Sequence, residues 1–205
     1  METTLEVRWF NRGIPPATVQ RWFRFECPGK LLGELETRKD WYAYFQSDSL
    51  DKLNGFSNRV VNREEVNLKL RQGNLELKLR QQEFGTYRFT QAKNSHICEG
   101  KVEQWCKLSE PDSKDSTLLT HNSLDELDWI SVDKEREQKI EQSVKSELTC
   151  LKINHECWWT IAFEMTQNDR GEQQDNYFKN IVERACQTYY GPKLSAMNSC
   201  CYSKW

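Results

Sequence analysis

The sequence predicts an α+β protein that is mainly β, an antiparallel sheet or barrel with a few peripheral helices. Three observations carry this. Residues 68–71 (Leu-Lys-Leu-Arg) and 75–80 (Leu-Glu-Leu-Lys-Leu-Arg) alternate strictly between leucine and a charged residue, and side chains alternate between the two faces of a strand. Shorter alternations recur along the chain, whereas helical spacing is confined to two segments. Strands and helices do not take turns in a βαβ rhythm, which removes the doubly wound parallel classes.

The elements follow in order. Residues 5–10 read as a strand with Leu5, Val7 and Trp9 on one face and Glu6 and Arg8 on the other. Arg12-Gly13-Ile14-Pro15-Pro16 is a turn. Pro16 suits a first helical turn, and Val19, Trp22 and Phe23 fall at helical spacing behind it, until Cys27-Pro28-Gly29 ends the segment. Residues 35–45 form an aromatic-rich strand and 47–58 a loop. Gln72-Gly73-Asn74 joins the two alternating stretches into a hairpin. A further strand covers 87–90. Residues 101–108 alternate again, with Val102, Gln104 and Cys106 opposing Lys101, Glu103, Trp105 and Lys107. The stretch 109–123 is a polar loop. A strand at 129–132 continues through 136, and 137–145 is so charged that it reads as a mobile connection. Residues 148–153 and 158–165 make a closing hairpin around Asn154-His155-Glu156. A polar loop over 166–175 leads to a helix over 176–190, with Phe178, Val182, Ala185 and Tyr189 on one face. Gly191-Pro192 stops it. The tail to Trp205 receives no assignment.

A chain of 205 residues suits one domain, 1–205. Hydrophobic residues are only 37%, but eight Trp, seven Tyr and nine Phe supply enough large side chains for a core. The net charge of −2 gives no reason to expect nucleic acid or an anionic membrane as partner. The chain shows neither a signal-peptide start nor an apolar run long enough to span a bilayer, so a cytoplasmic protein is expected. The eight cysteines form no Cys-x-x-Cys pair and no zinc spacing, and they read as reduced thiols. His96, His121 and His155 lie far apart, and the sequence holds no nucleophile elbow, Walker loop or dinucleotide fingerprint.

The charged faces are the candidate site. In the hairpin, Lys69, Arg71, Lys78 and Arg80 share one face, with only Glu76 opposing them. Like charges on paired strands repel, so such a cluster has use for an anion. Glu6 with Arg8, Lys134 with Arg136, Glu147 with Thr149, and Thr160 with Ala162 and Glu164 stand two residues apart on their strands. If these strands close into a barrel with those faces inward, the interior gathers Lys and Arg with a few carboxylates. Such cations hold phosphate oxygens. Glu6, Glu147 and Glu164 could hold Mg2+ or Mn2+ against substrate phosphates, an arrangement suited to triphosphate hydrolysis. Periodicity does not say which face is inside, and the alternative, leucines in the core and charges in water, stays open.

The order of these motifs resembles the CYTH, or triphosphate tunnel metalloenzyme, superfamily. Asp40-Trp41-Tyr42, Leu68-Lys69-Leu70-Arg71-Gln72-Gly73, Leu75-Glu76-Leu77-Lys78-Leu79-Arg80, Val102-Glu103-Gln104-Trp105 and Trp158-Trp159-Thr160 are similar to a divergent CYTH-like group from cyanobacteria and plants. The resemblance implies an eight-stranded antiparallel β-barrel forming a tunnel. It also implies metal-dependent processing of triphosphates, with some members making cyclic AMP or binding polyphosphate. It assigns Arg8, Lys69, Arg71, Lys78, Arg80, Lys134 and Arg136 to phosphate, and Glu6, Glu147 and Glu164 to metal. The hallmark Glu-x-Glu-x-Lys appears here as Thr4-Leu5-Glu6-Val7-Arg8, with its first acid replaced by Thr4, and the late acid pair keeps only Glu164 of Ala162-Phe163-Glu164. Losing acids while keeping cations weakens metal binding more than anion binding. The expectation is therefore a barrel that binds a triphosphate or polyphosphate anion, with divalent-metal-dependent triphosphatase activity as its enzymatic form. The alternative is a non-catalytic binding or interaction module that keeps the barrel without the full acidic site.

Overall fold

The structure, a computed structural model, describes residues 2–44, 63–89, 98–109, 127–167 and 172–205. Nine strands occur among them: β1 (Glu2–Arg12), β2 (Lys30–Leu31), β3 (Glu36–Tyr44), β4 (Val66–Arg71), β5 (Asn74–Phe89), β6 (Cys98–Ser109), β7 (Asp128–Glu141), β8 (Val144–Ile153) and β9 (Glu156–Gln167). Two α-helices accompany them, α1 (Ala17–Phe25) and α2 (Glu172–Thr188). The strands run antiparallel in the order β7-β3-β4-β5-β6-β1-β9-β8, and β8 pairs back onto β7. That return pairing closes an eight-stranded barrel, as the resemblance implies. The short β2 pairs with β7 at Lys30↔Ile140, beyond the Glu36↔Arg136 end of the β3 ladder.

The ladder continues where the sequence suggests a break. Residues 137–145 are strand rather than a mobile connection: β7 runs to Glu141, turns at Gln142-Ser143 and returns as β8 from Val144. Their charges are matched from outside the sheet, with Arg24 of α1 paired to Glu137 and Arg184 of α2 to Glu141. Residues 87–89 do not begin a separate strand either, and Thr90 lies outside the described residues. The second hairpin strand extends as β5 to Phe89, with register shifts between Arg80 and Gln82 and between Glu83 and Thr86. Gly85, at φ +87°, takes a backbone conformation that a side chain would strain at this second irregularity. The readings at 47–58, across 110–123, and of His96 and His121 lie outside the described residues.

The apolar core lies outside the barrel wall. Leu5, Val7 and Trp9 of β1 and Trp159, Ile161 and Phe163 of β9 pack against Val19, Trp22 and Phe23 of α1 and Phe178, Ile181 and Val182 of α2. The strand face bearing Leu5, Val7 and Trp9 therefore meets the helices, and the face bearing Glu6 and Arg8 meets the barrel axis. The hairpin obeys the same division. Leu68 and Leu77 cluster with Val66, Ala43, Leu75, Leu79, Leu127 and Trp129, while Lys69, Arg71 and Lys78 line the interior. No helix among the described residues is long and apolar enough to cross a membrane.

Candidate functional site

The inward faces enclose a cavity of about 260 Å³, lined by nine cationic side chains (Arg8, Arg38, Lys69, Arg71, Lys78, Lys107, Lys134, Arg136 and Lys145) and six glutamates. Of the residues singled out by the sequence, Arg8, Lys69, Arg71, Lys78, Lys134, Arg136, Glu6, Glu147 and Glu164 all line it. Arg80 does not. Its guanidinium pairs with Glu103 and Glu83, at the point where the β5 register shifts and the alternation of the strand is interrupted.

Register explains the convergence. Glu6 faces Glu164 across β1 and β9, and Arg8 faces Ala162, so the small residue leaves room for the guanidinium. Arg136 faces Thr149 across β7 and β8, with Glu147 beside it. Arg8 reaches Glu147 at 3.3 Å and donates to Thr160 Oγ1 at 3.3 Å. Arg136 Nη1 donates to the other Glu147 oxygen at 2.8 Å, as does Gln138 Nε2. Burial opposes ionisation of Glu147, but Arg8 and Arg136 outweigh it and bring the carboxyl down to about 2.

Lys134 is in the opposite situation. Its ammonium lies 3.1 Å from Asp40 and donates to the Tyr42 hydroxyl at 2.5 Å. Burial lowers its pKa to about 7; Asp40 pulls it up, and Arg8 and Arg38 push it down. Asp40 stays below the usual carboxylate range because Lys134 and Arg38 together overcome its burial.

The three expected metal ligands do not make a metal cage. Lys78 reaches both Glu6 and, at 3.6 Å, Glu164, so an ammonium stands between the two carboxylates. Glu147 is engaged by two arginines instead. Among the described residues no group of three His, Cys, Asp or Glu side chains is placed to hold an ion. Burial opposes ionisation of Glu6, yet Lys78 and Arg8 hold its pKa low, whereas Glu164 is raised by burial and by Glu6. Thr4, at the position of the missing acid, is buried and donates its hydroxyl to Glu6 at 2.8 Å. It orients the remaining carboxylate and supplies no charge.

Several lining residues do not follow from the candidate set, Arg38, Tyr42, Lys107 and Tyr202 among them. Arg38 and Tyr42 share the inward face of β3 with Glu36 and Asp40, and Lys107 shares that of β6 with Glu103 and Trp105, so strand alternation could have found all three. Tyr202 is different. It comes from the tail, and its ring stacks on Tyr42 at 4.9 Å and meets Lys134 Nζ at 4.0 Å and Arg8 Cζ at 4.8 Å. No local pattern announces it.

Fold and cavity together define a closed antiparallel barrel with a densely charged, predominantly cationic interior. No protein-family model matches the chain, and no curated protein matches it in sequence. Solved structures do resemble it. A conserved hypothetical protein from Pyrococcus furiosus matches at TM-score 0.47 and 9% identity, covering 98% of each chain. A proposed adenylate cyclase from Bacillus halodurans matches at 0.47 and 12%, covering 94% of this chain and 95% of that one. The S. pombe Pct1 RNA triphosphatase matches at 0.48 and 11%, covering 92% and 86%.

Proposed function

We propose that the barrel binds a triphosphate or short polyphosphate anion in its cation-lined cavity. The observation that supports this most directly is the grouping around Glu76. Lys69, Arg71 and Lys107 approach that single carboxylate at 3.0, 3.7 and 3.6 Å. Three cations sharing one acid repel one another, and phosphate oxygens relieve the repulsion through charge-assisted hydrogen bonds. The buried Thr149 hydroxyl lines the same cavity and has no hydrogen-bond partner among the described residues, so it has a donor to offer. Arg8, Lys78, Lys134 and Arg136 extend the cationic lining beyond this group.

The test is calorimetric titration of tripolyphosphate into the protein and into Lys69→Met/Arg71→Met. Loss of two charge-assisted contacts is expected to weaken binding at least about tenfold. Absence of binding to the unaltered protein at physiological salt overturns the reading.

Hydrolysis is a separate question, and Lys78 between Glu6 and Glu164 favours the non-catalytic module. A divalent ion would have to displace that ammonium. Phosphate release from tripolyphosphate and organic triphosphates with Mg2+ or Mn2+, present in the unaltered protein and lost in Glu6→Gln, would establish the enzyme. Release that never exceeds the buffer rate leaves the binding module.

A further inference from the structure

The C-terminal tail enters the barrel. Ser199 bridges Trp9 of β1, and its hydroxyl accepts the Lys101 backbone N–H at 2.8 Å. Four residues on, Ser203 donates to the Glu64 carbonyl at 3.2 Å, and Lys204 pairs with the Glu64 carboxylate at 2.7 Å. Between these anchors Tyr202 turns inward. Its ring meets Phe10 edge-on at 5.2 Å, and Trp205 stacks on Phe10 at 4.7 Å and meets Trp158 at 5.5 Å. The wall side chains at this level are apolar, with Phe10, Val132 and Leu151 from three different strands.

This packing divides the interior in two. The charged cavity lies on one side. On the other is an apolar cavity of about 460 Å³ lined by Val132, Trp158 and Trp205 among others. Tyr42 and Tyr202 line both, so their stacked rings are part of the partition. Accessibility of the charged cavity runs the same way. Next to the partition the side chains of Lys134 and Arg8 are 3% and 10% exposed, whereas those of Arg71 and Glu164 are 30% and 28% exposed.

We propose that the tail segment 199–205 makes the charged cavity blind, so that it takes the free end of a phosphate chain and does not let the chain thread through. This rests on the anion-binding reading above. A polyphosphate passing the partition would leave its cations for a collar of aromatic rings, stripped of water and of counter-charge, which is prohibitively unfavourable. The same rings favour a chain end. The face of Tyr202 holds Arg8 and Lys134 by cation–π contact, so both cations stand at the closed end of the cavity. The ligand class is therefore a terminal triphosphate group or a short linear polyphosphate.

The test compares three ligands at physiological salt by calorimetry: tripolyphosphate, long-chain polyphosphate, and long-chain polyphosphate with both ends esterified. The expected result is one protein per free chain end at any chain length, with end-blocking weakening affinity at least about tenfold. Tyr202→Ala should bind along long chains in numbers that rise with chain length, and Tyr202→Phe should behave as the unaltered protein. If the alanine variant does not fold, the three ligands on the unaltered protein still decide. Loading proportional to chain length, or equal affinity for end-blocked chains, overturns the blind cavity while leaving anion binding intact. Failure to bind tripolyphosphate overturns the anion-binding reading itself.

Discussion

At the scale of single residues, Lys134 is the most informative group. Burial, helped by Arg8 and Arg38 and opposed by Asp40, brings its pKa to about 7. An incoming polyanion favours the charged ammonium and raises that value again. Anion binding above pH 7 should therefore draw a proton onto Lys134, and the uptake should vanish near pH 5.5, where the lysine is already charged. Titrations in buffers of different ionisation enthalpy measure it, and the difference from Lys134→Met removes the protons that the anion itself carries. Equal uptake in the two proteins would remove Lys134 from the site. Stability gives an independent sign. The lysine titrates at 10.5 when unfolded and about 7 when folded, so between those values the unfolded chain binds more protons. The contribution of this group to stability therefore rises with pH across that window. Glu147 acts at the acid end. Its carboxyl is depressed from 4.5 to about 2, so its stabilisation is full above 4.5 and lost as pH falls toward 2.

At the scale of elements, the β4–β5 hairpin sets the positions of Lys69, Arg71, Glu76 and Lys78, and its turn fixes the register. Arg71 pairs with Asn74, which leaves a two-residue turn, Gln72-Gly73, with φ of 51° and 81°. Two positive φ values define the type I′ turn that suits strand twist, and Asn-Gly is its preferred sequence. A Cβ at Gly73 meets nothing within 4 Å, so Gly73→Ala should cost only its backbone strain, about 1 kcal/mol. That corresponds to a Tm lower by roughly 3 °C in a chain of this size. Gln72→Asn should move Tm the opposite way. Thermal melts of the pair check both signs, and a fall in both would mean that the turn is of another type. This hairpin was legible in the sequence because period-two alternation survives along it. Alternation also groups the residues that share a face on β1, β7, β8 and β9, while which face is inward comes only from the closed barrel and its outer helices. It gives less where register changes: Arg80, just before the β5 irregularity, shares the face of Lys78, yet its charge is taken up by Glu103 and Glu83 and it does not line the cavity. It failed at 137–145, where local charge density outweighed pairing partners that arrive from distant helices. It was silent about Tyr202, because a ring stacked on Tyr42 and Phe10 is a product of long-range packing.

At the scale of the whole molecule, the main apolar core and the charged cavity lie on opposite sides of the barrel wall, and the Phe10–Val132–Leu151 cluster makes one end of the interior apolar. The barrel does not depend on an apolar centre, because its wall is buttressed from outside by α1 and α2. The interior can then hold nine cationic side chains although the chain as a whole carries −2. Lys69 and Arg71 are two of three cations on Glu76, so replacing both removes their mutual repulsion and leaves the carboxylate paired with Lys107. Lys69→Met/Arg71→Met should accordingly keep or raise the urea midpoint while losing tripolyphosphate affinity. Ile181→Ala, in the outer layer and almost fully buried, should do the reverse. It should lose about 3 kcal/mol of unfolding free energy to the cavity it creates, with the affinity of the folded protein unchanged. Urea unfolding and calorimetry on the same two variants make the comparison. Stability and affinity falling together in either variant would mean that the ion pairs of the interior help to hold the barrel closed, and that the two layers are one cooperative unit.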